Sequence, residues 1–192
     1  AEQKKYSKLA DAFTPLAKGM NSEYANQNGY DCIQVHGGSG FMLEYACQRI
    51  YRDARITSIY EGTTQLQVVA AIRYVTTGLY SQVIADYEQV ECCAELQAYK
   101  DRIKAMTEKF NADVDAVKAA GDQDLLDICA RHLYEEAANI IMAHLLLQNT
   151  NKAPELFAKS MNVYMNHAES ECAKHHNFVN SIDAEQIEAY RK

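Results

Sequence analysis

The decapeptide SIYEGTTQLQ, Ser58 to Gln67, carries a single carboxylate, Glu61, set between a tyrosine and a glycine. A lone acid in an apolar, hydroxyl-rich run has two physical uses. It can sit in the first turn of a helix, where the dipole stabilises it by about 0.3–1 kcal/mol. It can also act as a base, and then water must be kept away. A carboxylate in water is a weak base, with a pKa of about 4.3, and desolvation strengthens it. Gly62 lets the chain pass tightly beside such a group. Upstream, HGGSG sets Ser39 among Gly37, Gly38 and Gly40. There the backbone adopts positive φ or approaches a ligand closely.

Other groupings are weaker. Arg52, Asp53 and Arg55 read as a structural ion-pair cluster. His36 beside the glycines has no partner acid in sequence. His167, Glu171 and His175 stand at i, i+4 and i+8 of one helical face, a spacing that metal sites in helix bundles use. The remaining ligands would have to come from another helix, for example His132, Glu135 or Glu136. His175 also falls on the apolar stripe, so a satisfied core histidine and no metal is the expectation. Cys92 and Cys93 are adjacent, point apart on a helix, and have no base beside them.

These residues need helices to position them. Thr14-Pro15 reads as a helix start, with threonine capping and proline at the first helical position. That helix runs to about Val35, where HGGSG stops it. A short helix near Glu44 to Asp53 follows, and ARITSIY is read as extended or irregular. The next helix starts at Thr63 or Thr64, with Thr64 and Gln67 at capping-box spacing, and ends near Gly78. Seven of the eight glycines lie in 1–80, and beyond them the chain reads as nearly unbroken helix. The predicted spans are 81–119 (Ile103, Met106, Phe110, Val114 and Val117 inward), 123–149 (Leu126, Cys129, Leu133, Ala137, Ile140, Ile141 and Leu145) and a helix after Pro154 (Leu156, Met161, Tyr164, Met165, Ala168 and Cys172). Short joints make sequential helices antiparallel. The fold class is all-α, with residues 1–80 and 81–192 as separate regions and a frayed tail.

Composition narrows the function. The 192 residues carry a net charge of −7, with 48% hydrophobic and 23% charged side chains. Residues 81–192 hold the acidity, and such a surface argues against nucleic acid or an anionic membrane as main partner. No apolar run approaches the ~20 residues of a membrane span. The polar start AEQKKYSKLADAF argues against a signal peptide, and the lack of an initial methionine suggests a processed or excised piece. Six cysteines without a CxxC pair suit reduced thiols in a cytosol-like compartment, so the expected location is cytoplasmic.

Taken together, Gln34 to Gln67 resembles the acyl-CoA dehydrogenase family. The matching motifs are Q-x-x-G-G-x-G-F (Gln34, Gly37, Gly38, Gly40, Phe41), R-D-A-R-I (Arg52 to Ile56) and I-Y-E-G-T-T-Q-L-Q (Ile59 to Gln67). The resemblance covers about 1–80 and implies part of the family's C-terminal helical domain. Residues 81–192 resemble, more loosely, the helical tail of a longer subgroup, here a second, acidic, antiparallel bundle. It implies an FAD-dependent α,β-dehydrogenation of an acyl-CoA thioester, with Glu61 as the base. Tyr60, Glu61 and Gly62 would meet substrate, and the Glu61 N–H would polarise the thioester oxygen. Thr63 and Gln65 would contact the adenosine diphosphate half of FAD. Gln34, Gly37 and Gly38 would meet that half from a partner subunit, which implies a homo-oligomer. Electrons would pass to an electron-transfer flavoprotein, or to oxygen in an acyl-CoA oxidase. The family also has an N-terminal helical domain and a central β domain, and neither is read here. The chain alone is therefore expected to bind FAD weakly or not at all and to be inactive. The competing expectation is a non-catalytic helical interaction or oligomerisation module built on the same scaffold.

Overall fold

A computed structural model of the chain describes residues 2–182 and 184–191. Helices make up the described fold, with no strand among those residues. The chain divides into two compact units, Ala1–Ala71 and Ile72–Lys192.

The first unit is built on α1 (Glu2–His36), with α2 (Gly38–Phe41), α3 (Ala46–Thr57) and the start of α4 (Thr64–Thr76). Thr14-Pro15 does not start a helix. Pro15 lies inside α1, and Thr14 Oγ1 donates back to the Ala10 carbonyl at 2.8 Å. The preceding residues, rich in Lys, Leu and Ala, are good helix formers. They carry the helix past a proline that removes one i→i−4 donor at about 3 kcal/mol. Gly37 ends α1 as expected, at φ +59. Ala54 to Thr57 are helical rather than extended and form the last turn of α3. α1 and α3 approach closely where Gly29 meets Tyr51: a Cβ on Gly29 would come within 3.0 Å of the Tyr51 Cα.

The second unit contains α5 (Leu79–Glu88), a 3-10 turn at Ala94–Leu96, α6 (Gln97–Ala120), α7 (Gln123–Lys152), α8 (Pro154–Ser181) and α9 (Ala184–Arg191). The span predicted as 81–119 is therefore two helices. The break at 89–93 is held from outside: the Cys93 N–H donates to Asn151 Oδ1 at 3.0 Å, and Asn151 Nδ2 donates to the Glu91 carbonyl at 3.4 Å. The tail read as frayed contains α9.

Cross-helix bonds give the topology of the main bundle. Tyr99 meets Asn162, Arg102 meets Glu169 and Asp113 meets His176, a nearly constant offset, so α6 and α8 run parallel. His132 meets His175 and Asn139 meets Tyr164, so α7 runs antiparallel to α8. Asp122 caps α7, accepting from the N–H groups of Asp124 at 2.9 Å and Leu125 at 3.3 Å. Ala153 alone joins α7 to α8, with Pro154 at the first helical position.

The predicted α6 stripe is buried throughout. Leu145 and Leu156 are not part of the core. They are 41% and 69% exposed, and Leu147, seven residues past Ile140, is buried instead. Seven residues fall 20° short of two full turns, so Leu147 stays on the Ile140 face. All six cysteines are unpaired. Burial pushes the thiols of Cys129 and Cys172 up, to about 11 and about 12, which leaves them poor nucleophiles.

Candidate functional site

Glu61 lies in the loop between α3 and α4, and the loop is built by its own backbone. The N–H groups of Ile59 and Tyr60 both donate to the Ile56 carbonyl, at 2.9 and 3.0 Å. The Thr64 N–H closes the loop on the Ser58 carbonyl at 3.2 Å. Ser58 is buried, and its hydroxyl accepts from the Arg55 guanidinium. Between these fixed points Glu61 adopts φ +52, the single positive φ outside glycine among the described residues. A left-handed glutamate costs about 1–2 kcal/mol, and such strain concentrates at functional sites. Gly62 follows at φ +93, which only glycine adopts readily.

The turn has a chemical consequence. Among the described residues, the N–H groups of Glu61, Gly62 and Thr63 find no acceptor. Three successive open donors directly before the N-terminus of α4 suit an oxyanion or a phosphate. Thr63 caps the helix, its Oγ1 accepting from the Leu66 N–H at 3.4 Å. The capping box expected at Thr64 and Gln67 is absent. Thr64 Oγ1 donates instead to Glu23 Oε1 at 2.5 Å, and Gln67 Nε2 reaches the Glu61 and Gly62 carbonyls at 3.4 and 3.3 Å.

Two residues of α1 fix this loop from the side, and sequence reading gave no hint of either. Lys18 Nζ donates to the Gly62 carbonyl at 2.5 Å and sits 6.0 Å from the centre of the Tyr60 ring. Glu23 receives Thr64. These partners are 44 and 41 residues apart in sequence, so no local spacing could have signalled them. The same face of α1 lines a cleft of about 510 Å³ with Lys18, Asn21, Ser22, Thr57, Tyr60 and Glu61 on its walls. Glu61 thus opens into a concave space. Water, however, is not excluded by this chain: Glu61 is exposed, and Ile59 and Tyr60 are 44% and 50% exposed.

The residues expected to meet the cofactor fall into two groups. Thr63 and Gln65 sit exposed at the start of α4. Gln34, Gly37 and Gly38 sit exposed where α1 gives way to α2. Lys18, which touches the Glu61 loop, precedes Gln34 by 16 residues of continuous helix, about 24 Å at 1.5 Å per residue. The structure does not bring the two groups to one point. A Cβ on Gly37 or Gly38 would meet nothing within 4 Å, so any crowding there must come from outside this chain. Gly40 differs, since its Cβ would strike the Ile33 carbonyl at 2.7 Å. Its place in the motif is a packing requirement.

The predicted Arg52–Asp53–Arg55 ion pair does not form. All three are exposed, and Arg55 turns to Ser58. Neighbouring positions on a helix do not face each other, which is why the charges stay apart.

Two family descriptions divide the chain between them: "Acyl-CoA dehydrogenase, C-terminal domain" matches residues 1–75 and "Acyl-CoA dehydrogenase C terminal" matches 76–187. The chain belongs to the acyl-CoA dehydrogenase family. It is 46% identical over 59 residues to the mitochondrial long-chain specific acyl-CoA dehydrogenase of Sus scrofa, a match covering 31% of this chain and 14% of that one. It is 38% identical over 63 residues to an acyl-CoA dehydrogenase of Bacillus subtilis (strain 168), covering 33% of this chain and 17% of that one. The chain therefore spans a small part of the length of these relatives. A solved family protein from Porphyromonas gingivalis superposes with a TM-score of 0.56 at 35% identity, over 59% of this chain and 98% of that one. An acyl-CoA dehydrogenase from Bacillus anthracis, solved with FAD, shares the fold: TM-score 0.69 at 19% identity, over 92% of this chain and 34% of that one.

Proposed function

We propose that this chain supplies the catalytic base and one edge of the flavin site of an FAD-dependent acyl-CoA dehydrogenase. The observation that carries the reading is the left-handed Glu61, followed by a Gly62 carbonyl that accepts from Lys18 and Gln67, beside three open N–H groups. Its carboxylate takes the proton from the carbon next to the thioester carbonyl. The open N–H groups stabilise the negative charge that develops on the thioester oxygen, the usual way to make such a carbon acidic. Tyr60 and Gly62 flank the acyl chain. FAD, when bound, supplies the acceptor for the hydride from the adjacent carbon.

The exposed donors at the start of α4 suit the anionic half of that cofactor, with Thr63 and Gln65 on its near side. Gln34, Gly37 and Gly38 lie about 24 Å off by helix rise. In our reading they serve the site of a second copy, so the working unit is a homo-oligomer. An electron-transfer flavoprotein then takes the electrons, and a reducing, cytosol-like compartment suits the six unpaired thiols. The exposure of Glu61 supports an inactive state for the chain by itself, because the base needs desolvation from substrate and further protein. The deciding experiment is Glu61→Gln in the longest natural polypeptide that contains this segment, assayed for acyl-CoA-dependent reduction of an artificial electron acceptor. Undiminished turnover would overturn the reading.

A further inference from the structure

A polar cluster outside that site lies in the second unit, between α7 and α8. His175 is 3% exposed, yet its two ring nitrogens face three polar side chains. Nε2 lies 2.9 Å from Glu135 Oε2 and 3.7 Å from Glu171 Oε2. It makes no hydrogen bond of proper angle to either. Nδ1 lies 2.9 Å from Nδ1 of His132, whose ring stacks on Phe178 at 3.7 Å. One ligand atom from each of Glu135, Glu171 and His175 falls within 4.8 Å of the others.

Two carboxylates converging on one imidazole exceed what a salt bridge needs. Each carboxylate also has a cation of its own on the outer side: Arg131 Nε at 2.7 Å from Glu135, and Lys174 on Glu171. Both cations are about half exposed, so those pairs contribute little and yield easily to a stronger cation. The spacing also fits. Ligand bonds of about 2.0–2.2 Å in a tetrahedron hold ligand atoms roughly 3.3 Å apart, and the two measured separations bracket that distance.

We propose that Glu135, Glu171 and His175 form a divalent-metal site of the zinc class joining α7 to α8, with water as the fourth ligand. His132 acts behind it as a positioning residue. It accepts the Nδ1–H of His175 and so presents Nε2 unprotonated to the metal. One nitrogen and two oxygens suit Zn²⁺ and not Mg²⁺, which prefers an all-oxygen octahedron. Glu171, its side chain 29% exposed, is the way in from solvent. His167, the third member of the helical run, packs on Tyr164 and takes no part.

The test is calorimetric titration of the metal-stripped full chain with Zn²⁺, with Mg²⁺ as control. One Zn²⁺ should bind and raise the melting temperature, and Mg²⁺ should not compete. Glu171→Gln, a partly exposed change that keeps the fold by circular dichroism, should weaken Zn²⁺ at least tenfold. His132→Phe should weaken it about 10–100-fold. His175→Gln should abolish binding, and if that variant misfolds, Glu171→Gln decides. Co²⁺ in place of Zn²⁺ guards against the Cys32, His36 and Cys47 cluster, whose ligand atoms are equally close: a nitrogen–oxygen site gives no thiolate charge-transfer band. No Zn²⁺ uptake, uptake unchanged in Glu171→Gln, or a thiolate band as the sole signal would each overturn the proposal and leave a buried histidine–glutamate ion pair.

Discussion

The two units spend their apolar residues in opposite ways. Among the described residues, the second unit holds 27 of the 33 buried apolar side chains, while the first holds six. The large exposed apolar side chains reverse this, with 14 of 19 in the first unit, including Val35, Phe41 and Leu43 at 76–84% exposure. The second unit is stabilised by its own interior. The first leaves most of its large apolar side chains exposed, the kind of area that protein contacts use. The strained loop and the open donors lie on the first unit.

Predictions sharpen that contrast. In the full polypeptide, Glu61→Gln should lower turnover by about 10²–10⁴ while the melting temperature stays put. A matching loss of stability would mean that Glu61 is structural. In the second unit, Phe110→Ala should cost about 3–5 kcal/mol by urea unfolding, because it empties a fully buried site. Leu43→Ser in the first unit should cost under about 0.5 kcal/mol in the isolated chain. Equal costs would erase the difference between the units.

A pH scan tests the polar interior of the second unit. Glu136 is 1% exposed, and burial, with Asp113 beside it, pushes its carboxyl up to about 9. The folded chain then holds a proton that the unfolded chain releases above 4.5, so stability falls as pH rises from about 4.5 to about 9. Glu136→Gln should recover up to about 3 kcal/mol at pH 7, and nothing at pH 4. Burial pulls His144 down to about 4, so its effect runs the other way, with stability falling as pH drops from about 6.5 toward 4. Denaturation midpoints across pH 4–9 report both. A small effect is expected at the loop. Glu61→Gly relieves a left-handed residue at the cost of unfolded-state freedom, for a net gain of about 0.5–1 kcal/mol.

Local signals in the sequence were readable where local physics decides. The α6 stripe, the Gly37 stop and the α7 and α8 starts all follow from spacing and capping chemistry, whereas the cap expected at Thr64 falls on Thr63. Pro15 misled because a long run of helix formers outweighs one lost hydrogen bond. The break at 89–93 was hidden because Asn151, some 60 residues away, stabilises it. At the candidate site, the motif identified Glu61, but its backbone strain, Lys18 and Glu23 arise only when distant segments meet.

The uninterrupted run of α1 from Lys18 to Gln34 carries a further consequence, one of phase. Every helical residue turns the chain by about 100°. A single amino acid added between those two positions would keep Lys18 on Gly62 yet swing the glycine end a quarter-turn and more away from whatever it faces. Seven added residues would restore the bearing to within about 20° but move it outward by about 10 Å.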